Sequence, residues 1–241
     1  MNKEIVICKG VSKHFIIGTN VVKAVQEVNV SLKEGEFTSI VGPSGSGKTT
    51  LLNLIGTLEL PTRGKIIINN TDLSKYSQIE LINFRRKNLG FVFQFFNLIE
   101  GLTAEENIEL PLVFDSVPYE ERKIRVNRII DEFELNELIG KFPEELSSGE
   151  RQRVAIMRAI INNPVILLAD EPTGNLDTKT GQSVLDLFKE LNEERGTSIA
   201  LVTHDLAAAK RASRILHMHD GKISFDQQDL APEIPGPKAK I

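Results

Sequence analysis

Eight residues, Gly42-Pro43-Ser44-Gly45-Ser46-Gly47-Lys48-Thr49, constrain this chain more than any others. They fit the spacing G-x-x-x-x-G-K-[ST]. The apolar run Phe37-Thr38-Ser39-Ile40-Val41 precedes them, and Thr50 to Leu58, a stretch of helical character, follows. Glycines at these positions let the backbone curl until successive N–H groups point inward at phosphate oxygens. A helix opening at Lys48 or Thr49 adds its positive N-terminal end. Lys48 can then reach the β- and γ-phosphates, and the Thr49 hydroxyl can bind Mg²⁺. The bland alternative is a glycine-rich turn with an incidental lysine. It does not account for a strand entering the loop and a helix leaving it, and that context demands α/β layers.

The surrounding pattern agrees. Glu4 to Cys8 and Val21 to Leu32 are rich in β-branched residues, and Gly35 turns the chain into the run that meets the loop. Pro61 and Gly64 end the helix before a strand at Lys65 to Ile68. From about Ser77 to Asn163 the pattern reads as mostly helical. Within it, Tyr119 to Phe133 places Ile124, Arg128 and Asp131 apart from a charged side, as an amphipathic helix would. Val165 to Ala169 and Ser198 to Val202 are continuous apolar runs, the mark of strands buried on both faces of a parallel sheet. A helix over Thr180 to Glu194 joins them into a βαβ unit, and Ala231 to Pro237 reads as part of a disordered tail.

Two carboxylates follow the first of these runs. Asp170 and Glu171 stand at the carboxyl end of a strand, where α/β sheets hold their ligands. Asp170 suits Mg²⁺ or its water shell, and Glu171 suits orienting and deprotonating an attacking water. Alone, such a pair is a solvated strand end; beside the glycine loop it is a candidate for hydrolysis. Thr203-His204-Asp205 closes the next strand in the same way, so His204 could sense the γ-phosphate.

Composition excludes some classes. The net charge of −4 argues against nucleic acid as the main partner, which asks for a basic face. No apolar run approaches the roughly 20 residues that span a bilayer, and Met1 to Gly10 lacks a signal-peptide stretch. The chain is therefore expected in the cytoplasm. Cys8, the single cysteine, reads as a small apolar strand residue.

Together these segments resemble the ATP-binding cassette family over nearly the whole chain. Leu146-Ser147-Ser148-Gly149-Glu150-Arg151-Gln152-Arg153 is similar to the family's signature sequence, a far more specific mark than the glycine loop alone. The resemblance implies an α/β P-loop NTPase fold with an N-terminal antiparallel β subdomain and a helical insertion. Residues 1–226 would form the cassette, with a helical subdomain over about 95–163, and 227–241 the tail. Gln94, in Phe91-Val92-Phe93-Gln94, resembles the Q-loop glutamine, which touches Mg²⁺ and relays to a membrane partner. Gly174-Asn175-Leu176-Asp177 resembles the D-loop, and His204 the switch histidine. Phe15 stands where an aromatic ring stacks on adenine, a role often taken by Tyr; stacking uses the ring face, so the missing hydroxyl should matter little.

On this resemblance ATP and Mg²⁺ are the cofactors. The nucleotide contacts come from Phe15, the loop from Gly42 through Thr49, Thr50, and, from a second subunit, Ser147, Ser148, Gly149 and Glu150. Thr49, Gln94 and Asp170 hold the metal; Glu171, His204 and Gln94 serve the chemistry. Ser148 departs from the family, which usually has glycine there. Its N–H is retained, so the departure bears on turnover rate rather than on the reaction. Ser147 follows Lys48 by 99 residues, and in the family it caps the nucleotide of a second subunit, so a homodimer sandwiching two ATP molecules is expected.

The ATP's use is read from neighbours of Gln94. Phe95, Phe96, Leu98, Ile99 and Leu102 are either a groove for a cytoplasmic helix of a transmembrane permease subunit or the core of the helical segment. Several segments resemble most the ATPases of the lipoprotein-releasing and macrolide-exporter groups: Phe91 to Ile99, Thr103 to Asn107, Gly149 to Ile156, Asp170 to Asp177 and Thr203 to Ala207. The expectation is an ATPase on the cytoplasmic face of the inner membrane that powers export or extraction through a separate membrane subunit. One rival is a cell-division regulator that moves a membrane protein without cargo. Another is a soluble cassette acting on DNA or ribosomes, which the single P-loop and short spacing disfavour.

Overall fold

The computed structural model describes residues 3–227. The tail expected over 227–241 lies, apart from Gln227, outside the described residues. In chain order the elements are β1 (Glu4–Ile17), β2 (Asn20–Lys33), β3 (Phe37–Val41), α1 (Lys48–Ile55), β4 (Arg63–Ile68), β5 (Thr71–Asp72), α2 (Gln78–Asn88) and β6 (Leu89–Phe93). There follow α3 (Ala104–Phe114), α4 (Tyr119–Glu132), α5 (Ser148–Ile160), β7 (Ile166–Asp170), α6 (Thr178–Glu193), β8 (Ile199–Thr203), α7 (Leu206–Ala209), β9 (Arg214–His219) and β10 (Lys222–Gln227).

The continuous apolar runs make the central sheet, ordered β10-β9-β3-β8-β7-β6, in which the pairs from β9 to β6 are parallel. Every residue of β3 and β8 is buried, which is why neither shows polar alternation. The β-branched first third forms a second, antiparallel sheet, β2-β1-β4-β5. Between the two sheets lies a core of Ile5, Val6, Val25, Ile40, Leu51 and Ile68, with α1 in it. A second core on the other face joins α3, α4, α5 and α6 to Val92, Leu167 and Leu201.

Several expectations are corrected. Leu89–Phe93, inside the region read as mostly helical, is a strand at the sheet's edge; a five-residue apolar run is too short for its periodicity to tell strand from helix. The β1–β2 hairpin is longer than its apolar stretches, because its tip, with Ile16 and Val21 paired, is exposed. The first helix ends at Ile55, capped by Gly56, not at Leu58. In α4 the buried stripe is Val126, Ile129 and Ile130, and Ile124, Arg128 and Asp131 all face solvent. The helix after β7 begins at Thr178, because Asp177 caps it from both Lys179 and Thr180 amides. Strands β9 and β10 carried no signal strong enough to be read at all.

Arg214, 5% exposed, ties the sheets together. It pairs bidentately with Asp226 at 2.9 and 2.7 Å and donates to Ser31 O at 2.7 Å and Glu36 Oε2 at 3.1 Å. Arg214→Ala removes the cation that Glu36 and Asp226 share and the donor to the Ser31 carbonyl, leaving Glu36, among the described residues, only its Lys33 N–H and Thr38 hydroxyl partners, and should lower unfolding free energy by about 2–3 kcal/mol. Urea titration with unchanged m-value checks it, and Arg214→Lys should recover only part, since one ammonium cannot make the bidentate pair.

Candidate functional site

Strand register builds the site. Val41 lies opposite Thr203, Asp170 opposite Val202, and Phe93 opposite Asp170. The next residues, Gly42, His204, Glu171 and Gln94, therefore leave one edge of the sheet from four adjacent strands, at its carboxyl end.

The loop after β3 fits a phosphate by what it excludes. Gly47, the N-cap of α1, has φ +99°, and a Cβ there would stand 2.1 Å from Ala24 O. A Cβ on Gly42 would stand 2.1 Å from Met218 O. Only glycine allows the backbone this close to its neighbours. The crown, Pro43, Ser44 and Gly45, is exposed, while Ser46 is buried with its Oγ unpartnered. That orphaned hydroxyl, buried in the loop, is a donor without an acceptor and suits an anion. Lys48 is buried too, its Nζ 2.9 Å from Gly42 O and 3.0 Å from Pro43 O. Thr50 follows half-buried on α1. The turn after β9, unforeseen from sequence, braces the loop, with Gly221 N–H donating to Ser46 O at 3.0 Å. Phe15 lies on the hairpin that abuts the loop through Ala24. It pairs with Val22, is half-buried, and has Lys13 Nζ 5.0 Å from its ring centroid.

The carboxylates meet their expected neighbours. Thr49 Oγ1 donates to Asp170 Oδ1 at 3.0 Å. Burial pushes the Asp170 carboxyl above its ordinary range, against the Thr49 hydrogen bond and Lys48 charge that lower it. An alcohol and a carboxylate side by side are hard oxygen donors of the kind Mg²⁺ takes. Glu171 has φ +45°, a left-handed backbone unusual for a side chain of its size, fixed by its N–H donating to Val202 O at 2.9 Å. Its Oε2 is 3.0 Å from His204 Nδ1. Gln94 is held by a residue whose part sequence reasoning missed. Asn175 Nδ2 donates to Gln94 O at 3.0 Å, and Gln94 Nε2 donates to Asn175 Oδ1 at 3.2 Å. The only signal for it was its place in the Gly174–Asp177 segment.

The second cluster stands on the opposite flank. Ser147 caps α5, its Oγ and N–H donating to Glu150 Oε2 at 2.6 and 2.7 Å, while Glu150 N–H donates to Ser147 Oγ at 3.3 Å. The Ser147 hydroxyl holds the Glu150 carboxyl below the usual range. Ser148 is exposed at the first helical position, and Gly149 packs so close to α6 that a Cβ would stand 2.4 Å from Thr180 Cγ2. Buried Gln152, part of the signature run but given no role of its own from sequence, donates to Pro172 O at 2.8 Å and places the helix start beyond β7. The glycine loop follows β3, and β6 is three strands away, about 14 Å at ordinary strand spacing. The two clusters thus flank one edge of the sheet.

This geometry has counterparts among known proteins. The family model described as ABC transporter matches residues 25–174. The chain belongs to the ABC transporter family. It is 47% identical over 224 residues to the uncharacterized ABC transporter ATP-binding protein MJ0796 of Methanocaldococcus jannaschii, covering 91% of this chain and 95% of that one. It is 43% identical over 221 residues to an uncharacterized ABC transporter ATP-binding protein of Thermotoga maritima, covering 92% and 94%. Among solved structures, a dimeric post-hydrolysis state of the ATP-binding cassette MJ0796 bound to ADP and Pi superimposes with TM-score 0.85 and 45% identity, over 93% of this chain and 98% of that one. The cbiO1 protein of Clostridium perfringens, part of the ABC transporter complex cbiONQ, does so with TM-score 0.83 and 25% identity, over 94% and 89%. This chain is accordingly an ATP-binding subunit of that family and an ATPase. No helix among the described residues is long and apolar enough to cross a membrane.

Proposed function

We propose that the chain hydrolyses Mg-ATP at the β3 edge as one half of a homodimer, and that the energy drives export or extraction of a lipoprotein or similar amphiphile through a separate permease subunit. The observation that carries this reading is the convergence of Lys48, Thr49, Asp170, Glu171, His204 and Gln94 on one edge of the sheet, five of them joined in three contacts of 3.0–3.2 Å at that edge.

Each residue acts through what the geometry gives it. Thr49, Asp170 and Gln94 would hold Mg²⁺, whose charge offsets that developing on phosphate oxygens. Lys48 and the loop amides bind the β- and γ-phosphates, and the ring of Phe15 offers a stacking face to the base. Glu171 orients the attacking water and takes its proton; His204, hydrogen-bonded to it through Nδ1, fixes that carboxylate's direction. The Ser147–Glu150 helix start offers amides to the nucleotide of a second copy, since its own loop lies across the sheet. Groups supplied in trans are worth roughly 10³–10⁵ in rate in other P-loop enzymes. The cassette unit is taken as residues 1–226 with its helical part over about 95–163, and the chain as working at the cytoplasmic membrane face.

The partner's place is supported by exposure. Of the five apolar residues after Gln94, Phe95 is 72% exposed and Ile99 48%, whereas Leu98 packs on the core. Phe95, Phe96, Leu98, Pro143 and Arg151 line a groove of about 390 Å³. Magnesium-dependent turnover by the purified chain should accompany co-purification of an integral membrane protein with a large periplasmic domain. Phe95→Asp should cut that capture at least tenfold while leaving turnover by the isolated chain within twofold. Retrieval of division proteins would replace export with the cell-division reading, and capture unaffected by Phe95→Asp would remove the groove.

A further inference from the structure

The turn that follows Gln94 is held in an unfavourable shape by a side chain that no motif assigns. Phe96 and Asn97 are consecutive non-glycine residues at φ +60° and +50°. Asn tolerates the left-handed region, but a bulky aromatic such as Phe rarely adopts it, so the turn gains from an outside hold at Phe96 in particular. Arg158, on the third turn of α5, supplies it. Its Nη2 donates to Phe96 O at 2.8 Å and its Nη1 to Asn97 O at 2.5 Å. The planar fork spans two successive carbonyls, which a single ammonium cannot match. Burial pushes the guanidinium below its ordinary pKa. Among the described residues it is paired with these carbonyls rather than with a carboxylate, so its desolvation is offset by holding the turn.

We infer that Arg158 is a positioning residue for Gln94: it locks the Phe96–Asn97 turn to the signature helix, so that the glutamine, the apolar groove and the Ser147 end of α5 move as one body. Gln152, two turns earlier on α5, holds the same helix to Pro172, next to Glu171. A partner pressing on Phe95 or Phe96 would therefore displace α5 directly rather than through the sheet. The inference rests on the proposed role of Gln94 and is tested separately from it.

The experiment uses the full chain with Arg158→Lys and Arg158→Gln, measuring ATP turnover and hydrogen exchange with and without ATP. Both variants should lower kcat about tenfold and leave KM for ATP within twofold, because the glycine loop lies across the sheet. Exchange should rise at residues 95–99 and stay unchanged at 42–50. A packing role for the arginine stem would instead be restored by lysine. Recovery of kcat in Arg158→Lys, a KM that rises as kcat falls, or unchanged exchange at 95–99 would each overturn the inference. Gln94→Ala is the control for the underlying reading. Normal turnover in that variant removes Gln94 from the chemistry, while exchange still reports whether Arg158 holds the turn.

Discussion

Glu171→Gln should bind ATP as tightly as the parent chain and hydrolyse it about 10²–10⁴-fold more slowly, the span that a general base contributes. The amide is isosteric and its oxygen can still accept from His204 Nδ1, now 3.0 Å from the carboxylate, so the local backbone has no reason to move. What is lost is the proton acceptor. With hydrolysis blocked and binding intact, the ATP-bound pair should accumulate, and light scattering should report a mass twice 26.8 kDa in ATP but not in ADP. Near-normal turnover in this variant would mean that another group takes the proton. The parent chain adds an internal check: its rate per subunit should fall on dilution through the dimerisation range, because the Ser147 cluster and the glycine loop of one copy lie on opposite flanks of the sheet.

Lys48→Ala should weaken ATP binding by roughly 10²–10³-fold. Two charge-assisted hydrogen bonds to phosphate, at about 1.5–3 kcal/mol each, are worth at least that factor. A fluorescent nucleotide titration reads it. The substitution has a second effect in the empty protein, because Lys48 Nζ satisfies the carbonyls of Gly42 and Pro43 at 2.9 and 3.0 Å. Their loss should cost about 1–2 kcal/mol of stability. Denaturation of the nucleotide-free variant therefore has to accompany the titration. Binding within threefold of the parent would refute the assignment of this lysine to phosphate.

Much of the fold was legible because its signals are local. Glycines whose Cβ has no room, a lysine and a threonine opening a helix, and short runs apolar on both faces all follow from constraints a few residues wide. The resemblance extended this to Gln94 and the Ser147 segment. What stayed hidden depends on contacts distant in sequence. Leu89–Phe93 is a strand because Ile166–Asp170 lies beside it, not because its own five residues say so. Asn175 and Arg158 matter through carbonyl groups 81 and 62 residues away, and a carbonyl has no letter in the sequence. The exposure of Phe95 beside the packing of Leu98 could not be read either, since both are equally apolar on the page.

The level ends of β3, β8, β7 and β6 make the sheet a ruler against which the reacting groups are set. Sliding any one of those strands by a single residue would carry its contributor about 3.3 Å and turn it to the opposite face. Lengthening the hairpin tip or the connection between α3 and α4 would leave the ruler untouched. Relatives of this chain should therefore vary freely in length at those two places, and hold the residue count of the four strands fixed.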